Sequence, residues 1–112
     1  MPRWGLAVVR GRSMAPTLLD GDRLLVRYAG RLRPGAVAVV VLPDGVLAIK
    51  RLAFAQDGHW WVERDNPLEG IDSWSVGAIP TTDVRAIAVC VLWPLAGLWR
   101  WLTAGSRATQ HG

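Results

Sequence analysis

The stretch AVAVVVLPDGVLAIKRLAF, residues 36–54, indicates the type of fold most directly. Residues 36–42 form a continuous apolar run rich in valine, which is typical of a strand buried on both faces. Pro43, Asp44 and Gly45 follow, and these are residue types that tight turns select. Residues 46–54 then return as a partner strand. The stretch therefore predicts a β-hairpin.

Lys50 lies in the second strand of this hairpin and is the chain's single lysine. Alternate residues of a strand share a face. The expected neighbours of Lys50 on that face are Val46, Ala48, Leu52 and Phe54. Burial can lower a lysine pKa from about 10.4 by up to ~3–5 units, so a desolvated lysine could accept a proton. The alternative is a lysine whose stem follows the strand while its amine reaches water.

A second distinctive stretch, Gly11-Arg12-Ser13-Met14-Ala15-Pro16-Thr17-Leu18, precedes the hairpin. A first strand is expected to end over residues 8–10, and Pro16 pushes Ala15 out of the helical region. Ser13 at this bend is either part of a turn without chemistry or an exposed nucleophile. With Lys50 as base it would form a Ser-Lys dyad, a known variant of nucleophile plus base. A Ser-His-Asp triad fits less well, because His59 adjoins a turn and His111 lies in the tail.

The remaining apolar runs are short and separated by turn residues, which predicts an all-β domain, either a barrel or packed sheets. The further expected strands cover residues 23–28, 59–63, 76–80 and 84–92, with an irregular polar segment over 64–75. After Pro94, helical spacing of apolar residues predicts a short amphipathic helix, followed by a polar tail. The residues at this spacing are Leu95, Leu98, Trp99 and Leu102. We therefore divide the chain into a domain over 1–92 and a helix with tail over 93–112.

Composition restricts the classes of function and partner. The chain has 112 residues, 51% of them hydrophobic, so a single folded domain is expected. The net charge is +4, but the arginines are scattered and form no stripe interleaved with aromatic residues, so we expect no nucleic-acid partner. Cys90 is the single cysteine and lies in an apolar run, which indicates a buried, inert thiol and excludes a disulfide within the chain. Cys90, His59 and His111 show no metal-ligand spacing, and no metal or other cofactor is expected.

The apolar segments also bear on localisation. Residues 6–9 are too few for the apolar region of a secretory signal peptide, and no run of about 20 apolar residues is present. We expect a cytoplasmic protein. Its C-terminal segment, with Trp93, Trp99, Arg100 and Trp101, could still lie in a membrane interface, where tryptophan is enriched.

Several motifs, in order along the chain, resemble those of type I signal peptidases and the wider group that includes the self-cleaving repressor proteases. They are Ser13-Met14-Ala15-Pro16-Thr17-Leu18, Gly21-Asp22, Lys50-Arg51, Asp65-Asn66-Pro67, Asp72-Ser73 and Gly77. The resemblance runs from about Val8 to Leu92. Within the group, the chain length and the Asp-Asn-Pro motif are most similar to the maturation proteases of nickel-type superoxide dismutase.

The resemblance implies a mostly β, signal-peptidase-like barrel or sheet domain and a serine endopeptidase activity. Ser13 would be the nucleophile and Lys50 the general base, and the backbone N–H of Ser13 would help to stabilise the oxyanion. The implied supporting residues are Met14, Pro16, Asp65, Asn66, Asp72 and Ser73. The substrate would be a precursor protein or peptide bound in extended form, from which an N-terminal leader is removed. No metal is implied for the protease itself.

The sequence departs from the family pattern near Asp72. Gly70 stands where the family usually has a serine that can hydrogen-bond the lysine, and Trp74 replaces the arginine that would pair with Asp72. Arg64 precedes Asp65 where glycine is usual. Gly11 stands where some members have a second oxyanion hydroxyl, although others have glycine. We hypothesise that Arg64 or Arg85 supplies the missing charge to Asp72.

Other functions remain open. One is a type I signal peptidase that acts on secretory precursors at a membrane, which the tryptophan cluster favours and the lack of a spanning segment disfavours. Another is an inactive β module that binds extended peptides, which the departures at Gly70 and Trp74 favour. A self-cleaving repressor fits less well, because no DNA-binding domain or cleavable linker precedes Ser13.

Overall fold

A computed structural model describes residues 3–66, 68 and 77–111, with helix side chains described as far as Thr103. The strands are β1 (Arg3–Val8), β2 (Arg23–Tyr28), β3 (Val37–Val41), β4 (Leu47–Gln56), β5 (His59–Glu63), β6 (Ile79–Pro80) and β7 (Val84–Trp93). A 3₁₀ turn over Thr81–Asp83 precedes β7, and helix α1 (Leu95–His111) follows it.

The strands of the described residues form a single sheet in the order β1-β2-β7-β3-β4-β5-β6. Each neighbouring pair is antiparallel. Strand β7 is the last in sequence but lies inside the sheet, between β2 and β3. The predicted mostly β fold with a C-terminal helix is therefore confirmed.

The predicted hairpin is strands β3 and β4, paired from Val37 opposite Arg51 to Val41 opposite Leu47. Gly45 adopts φ of +87° in the turn, a conformation that glycine adopts without steric cost. Strands β2 and β5 have the predicted bounds. The first strand instead ends at Val8, and the strand expected over 76–80 is only Ile79–Pro80 within the described residues.

Buried residues form two hydrophobic clusters, and the first includes residues of the loop that follows β1. The first cluster contains Val9, Met14, Leu18, Leu24, Val26, Val37, Ala86, Ala88 and Val91. The second contains Ala38, Val40, Leu42, Leu52, Trp60, Val62 and Ile79. The first cluster matters for function because Met14 and Leu18 come from the same loop as Ser13.

The strand face that carries Lys50 is buried at Lys50 and Leu52, but the other predicted members of this face are more exposed. Lys50 is 3% exposed and Leu52 is fully buried, but Val46 is 54% and Phe54 40% exposed. Val46 lies in the turn before β4. A bulge between Leu52 and Phe54 reverses the alternation, because Leu52 opposes Val62 whereas Phe54 opposes Trp61. Phe54 stacks on Trp61 on the outer face, with ring centroids 5.7 Å apart.

Two expectations for the C-terminal third need correction. Cys90 is only half-buried, because the buried side chain at this point of β7 is its neighbour Val91, and successive strand residues face opposite sides. Helix α1 continues to His111, through the segment expected to be a polar tail.

Candidate active site

Ser13 lies in the loop between β1 and β2, residues 9–22, which we call the serine loop. Its ends are closed by a pair of backbone hydrogen bonds, from Val9 N–H to the Asp22 carbonyl and from Gly21 N–H to the Val9 carbonyl, both 2.8 Å. The Gly11 N–H donates to the Asp20 carboxylate at 2.7 Å across the loop. The loop is therefore a small hydrogen-bonded unit.

Two buried side chains fix the serine loop to the protein interior. Met14 and Leu18 belong to the first core cluster, and the Leu18 N–H donates to the Met14 carbonyl at 2.9 Å. Pro16, after a cis peptide bond, is exposed between them. The half-buried Ser13 lines a cleft, and the neighbouring Met14 contributes to the lining of the same cleft.

Asn66 holds the backbone on both sides of Ser13. Its N–H donates to the Ser13 carbonyl at 2.8 Å, and its side-chain amide donates to the Arg12 carbonyl at 2.9 Å. The Arg12 carbonyl also accepts the Ala15 N–H at 3.1 Å. A trans peptide is planar and its N–H points opposite to its C=O. Fixing the Arg12 carbonyl therefore also fixes the direction of the Ser13 N–H.

A salt bridge connects the strand of Lys50 to the segment of Asn66. The Arg51 guanidinium donates from Nε and Nη2 to the two oxygens of Asp65, at 2.9 and 2.7 Å, and from Nη1 to the Gly35 carbonyl at 2.7 Å. The hydrogen bond to Asp65 raises the pKa of Arg51 above its ordinary value, although burial opposes the shift. A series of covalent bonds and hydrogen bonds therefore runs from the backbone of Ser13 through Asn66, Asp65 and Arg51 to Lys50.

Lys50 is almost wholly buried on the central part of the hairpin, opposite Ala38 of β3. Residues 46–49, which lead to Lys50, and Ser13 line the same cleft. This cleft has a volume of about 540 Å³ and a mostly apolar lining. Its other walls include Leu6, Val8, Val26, Val39 and Ala86.

Two strand segments beside the cleft have no strand partner on one side among the described residues. Strand β1 is the first strand of the sheet order, so its outer edge is not covered by another strand of the described residues. Strand β5 pairs with β4 only from Arg51 onward, so residues 47–50 extend beyond it. Such strand edges can add an extended peptide through main-chain hydrogen bonds.

Other residues singled out in the sequence lie elsewhere. Asp72 and Ser73, together with Gly70 and Trp74, lie outside the described residues. Arg85 contacts Asp83 at 3.8 Å. The exposed ring of His59 has its Nδ1 2.9 Å from the Asp57 carbonyl, away from the cleft. Among the described residues, no group of three or more His, Cys, Asp and Glu side chains could hold a metal ion.

The structure adds a contact that the sequence did not indicate, between helix α1 and the serine loop. Arg100 donates to both carboxylate oxygens of Asp22, at 3.1 and 3.2 Å, and to the Thr17 carbonyl at 3.2 Å. The sequence places Asp22 in the Gly21-Asp22 motif but does not indicate its partner. The signal in the sequence is a single arginine within the apolar segment over residues 95–102.

The tryptophans near Arg100 differ in their surroundings. Trp101 packs against the first core cluster, whereas Trp93 and Trp99 are exposed, Trp99 by 69%. Leu95 and Leu102 are exposed beside them. In the described part of the chain, no helix has the length and apolar character needed to cross a bilayer.

Comparison with protein-family models matches residues 3–90 to a family described as Peptidase S24-like. This match covers every strand except the end of β7, and it includes Ser13, Lys50 and Asn66. A search of curated proteins found no match.

Proposed function

The chain belongs to the Peptidase S24-like family of serine peptidases, and we propose that it is an endopeptidase in which Ser13 is the nucleophile and Lys50 the general base. The observation that carries the proposal is the cleft that Ser13 shares with the strand leading to Lys50. The near-complete burial of Lys50 supports its role, because loss of water disfavours the charged form of a lysine.

In the acylation step, neutral Lys50 accepts the proton of the Ser13 hydroxyl as Oγ attacks the scissile carbonyl carbon. The carbonyl π electrons move to oxygen and give a tetrahedral oxyanion. When this intermediate collapses, the C–N bond breaks and the Lys50 ammonium returns its proton to the departing amine. The products are a free amine and an ester on Ser13.

In the deacylation step, Lys50 takes a proton from water as the water oxygen attacks the ester carbon. Collapse of the second tetrahedral intermediate breaks the bond to Oγ, and Lys50 returns the proton to Ser13. The products are a carboxylic acid and the regenerated serine, so one water is consumed for each peptide bond cleaved.

The backbone N–H of Ser13 would stabilise both oxyanions. An oriented donor of this kind typically contributes ~10²–10³ in rate. The support is the pair of bonds that Asn66 makes to the carbonyls of Arg12 and Ser13, because they fix both peptide planes beside the nucleophile. Asn66 is then a positioning residue, and Asp65 with Arg51 holds it.

The substrate would lie extended in the cleft, between the outer edge of β1 and residues 47–50 of β4. The apolar lining favours small or apolar substrate side chains next to the cut. In keeping with the motif resemblance, we propose that the substrate is a precursor from which an N-terminal leader is removed, that of a nickel-type superoxide dismutase. Secretory precursors at a membrane are the second candidate, favoured by the exposed Trp99, Leu95 and Leu102.

The experiment is to incubate the purified protein with each precursor, with and without liposomes, and to determine the new N-terminus by mass spectrometry. Trimming of the dismutase precursor in the absence of lipid supports the proposal. Liposome-dependent cleavage of the secretory precursor alone would overturn the substrate assignment but not the serine mechanism. Binding of both precursors without cleavage would show a peptide-binding module.

A further inference from the structure

We propose that Arg100 of helix α1 is a positioning residue for the nucleophile, acting through Asp22 and Thr17 of the serine loop. This inference rests on the proposed function for its catalytic consequence. That Arg100 keeps the serine loop ordered does not depend on the proposed function, because it follows from the contacts of Arg100 alone. The helix begins beyond residues 3–90, so Arg100 lies outside the segment that matches the family, whereas Asp22 and Thr17 lie within it.

The first support is the burial of the Asp22 carboxylate. Asp22 is 2% exposed, and a buried carboxylate must be paired or hydrogen-bonded to be tolerated. Arg100 reaches both of its oxygens, and the Leu19 N–H donates to Oδ2 at 2.9 Å. The two-pronged guanidinium geometry fixes the orientation of the carboxylate as well as its charge.

The second support is the bond from Arg100 Nη1 to the Thr17 carbonyl, 3.2 Å long. Thr17 lies within the turn closed by the hydrogen bond from Leu18 to Met14, directly after the nucleophile. The same guanidinium therefore holds the end of the serine loop, at Asp22, and the turn that follows Ser13. Removing the Arg100 side chain would loosen the turn at Thr17, whereas Asn66 would still hold the carbonyls of Arg12 and Ser13.

The third support is the close approach of the helix, which depends on Gly97. A Cβ placed there would lie 2.7 Å from Val91 Cγ1, 3.2 Å from Arg100 Nη2 and 3.4 Å from Asp22 Oδ1. Only a residue without a side chain allows the helix backbone so near the salt bridge and β7. The salt bridge and the glycine thus belong to one docking contact.

The experiment uses the full chain and compares Arg100→Met, Arg100→Lys and the double variant Asp22→Asn/Arg100→Met. The double variant avoids leaving the buried carboxylate unpaired, so it tests the position of the loop even where the single variant folds poorly. Arg23→Gln is the matched control, because Arg23 is an exposed arginine next to Asp22 and its replacement makes the same charge change. The first readout, amide hydrogen exchange, needs no substrate.

We expect Arg100→Met and the double variant to raise exchange at least tenfold at the serine-loop amides of Gly11, Leu18, Leu19 and Gly21, with β3 and β4 unchanged. Arg100→Lys, which can reach one acceptor at a time, should fall between these variants and wild type. Exchange that rises equally in the sheet would show a general stabilising role and overturn the inference. Unchanged loop exchange would overturn it as well.

The second readout is kinetic and uses the cleaved precursor. We expect kcat to fall at least tenfold in Arg100→Met with KM within twofold of wild type, and partial recovery in Arg100→Lys. A change in KM alone would contradict a positioning role. If wild type cleaves nothing, the proposed function fails, while the exchange measurement still decides whether Arg100 orders the loop.

Discussion

Replacement of Asn66 by alanine should impair catalysis far more than folding. The substitution removes the side-chain bond to the Arg12 carbonyl but keeps the backbone bond from residue 66 to the Ser13 carbonyl. The Arg12 carbonyl then retains only the longer bond from Ala15, so the Ser13 N–H loses part of its fixed direction. One exposed hydrogen bond contributes about 1 kcal/mol to folding, which corresponds to a fall in Tm of about 4 °C.

The expected fall in kcat follows from the contribution of the Ser13 N–H, the oxyanion donor, to the rate. Full loss of such a donor costs ~10²–10³ in rate. Asn66→Ala disorders the donor without removing it, so kcat should fall about 10–100-fold, equivalent to about 1.4–2.7 kcal/mol. KM should stay within twofold, because the cleft that binds the substrate is unchanged. Steady-state cleavage of the precursor, together with thermal unfolding of the same samples, measures both effects.

Two further variants make the test specific. Asn66→Asp keeps the oxygen that accepts the Leu68 N–H at 3.0 Å but loses the amide donor, so it should be as slow as Asn66→Ala. Gln56→Ala, which removes an exposed amide at the end of β4, should leave kcat unchanged. If Asn66→Ala retains wild-type kcat, the argument that Asn66 orients the Ser13 N–H is refuted. A loss of kcat that only parallels unfolding would refute it too.

Three other changes have clear expected outcomes. The rate of cleavage by wild type should increase with pH in a single step, because Lys50 must be neutral to act as base. The midpoint of this step should lie well below the pKa near 10.4 of a water-exposed lysine. A midpoint near 6.5 would point to histidine as the base. Ala48→Phe should raise KM at least tenfold by filling the cleft, with the fold intact by circular dichroism, and an unchanged KM would place the substrate elsewhere. Arg51→Lys should cost about 1–2 kcal/mol of unfolding free energy in a denaturant titration, because lysine cannot make the two-pronged bond to Asp65; equal stability would show that this link to Asn66 is dispensable.

Local sequence signals predicted most of the sheet. Strands β2 and β5 have their predicted bounds because turn residues flank them closely, and the β3–β4 hairpin follows from its valine run and Pro-Asp-Gly turn. The predicted alternation of side chains between the two faces of β4 is wrong where the strand departs from regular pairing. The bulge after Leu52 places Phe54 on the outer face, and a periodicity of two residues cannot reveal an inserted residue.

The sequence predicts the residues of the candidate site, but it does not predict the contacts that surround them. Ser13, Lys50 and Asn66 came from motif order, whereas their arrangement depends on contacts between distant parts of the chain. Asn66 bonds to a residue 54 positions away and Arg100 to one 78 positions away. The pair of Arg100 and Asp22 forms because β7 crosses the sheet to pair with β2 and brings the following helix beside the serine loop. No local pattern in the sequence encodes that crossing.

The most direct test of the central claim is the single-turnover rate of precursor cleavage by wild type, Ser13→Ala and Lys50→Met, with the exposed Arg23→Gln as the control. Methionine keeps most of the buried stem of Lys50 while it removes the amine, so folding should be retained. The Ser-Lys mechanism predicts that both dyad variants lose cleavage almost completely, that both still bind the precursor, and that the control cleaves normally. Cleavage at the wild-type rate by either dyad variant would contradict the mechanism.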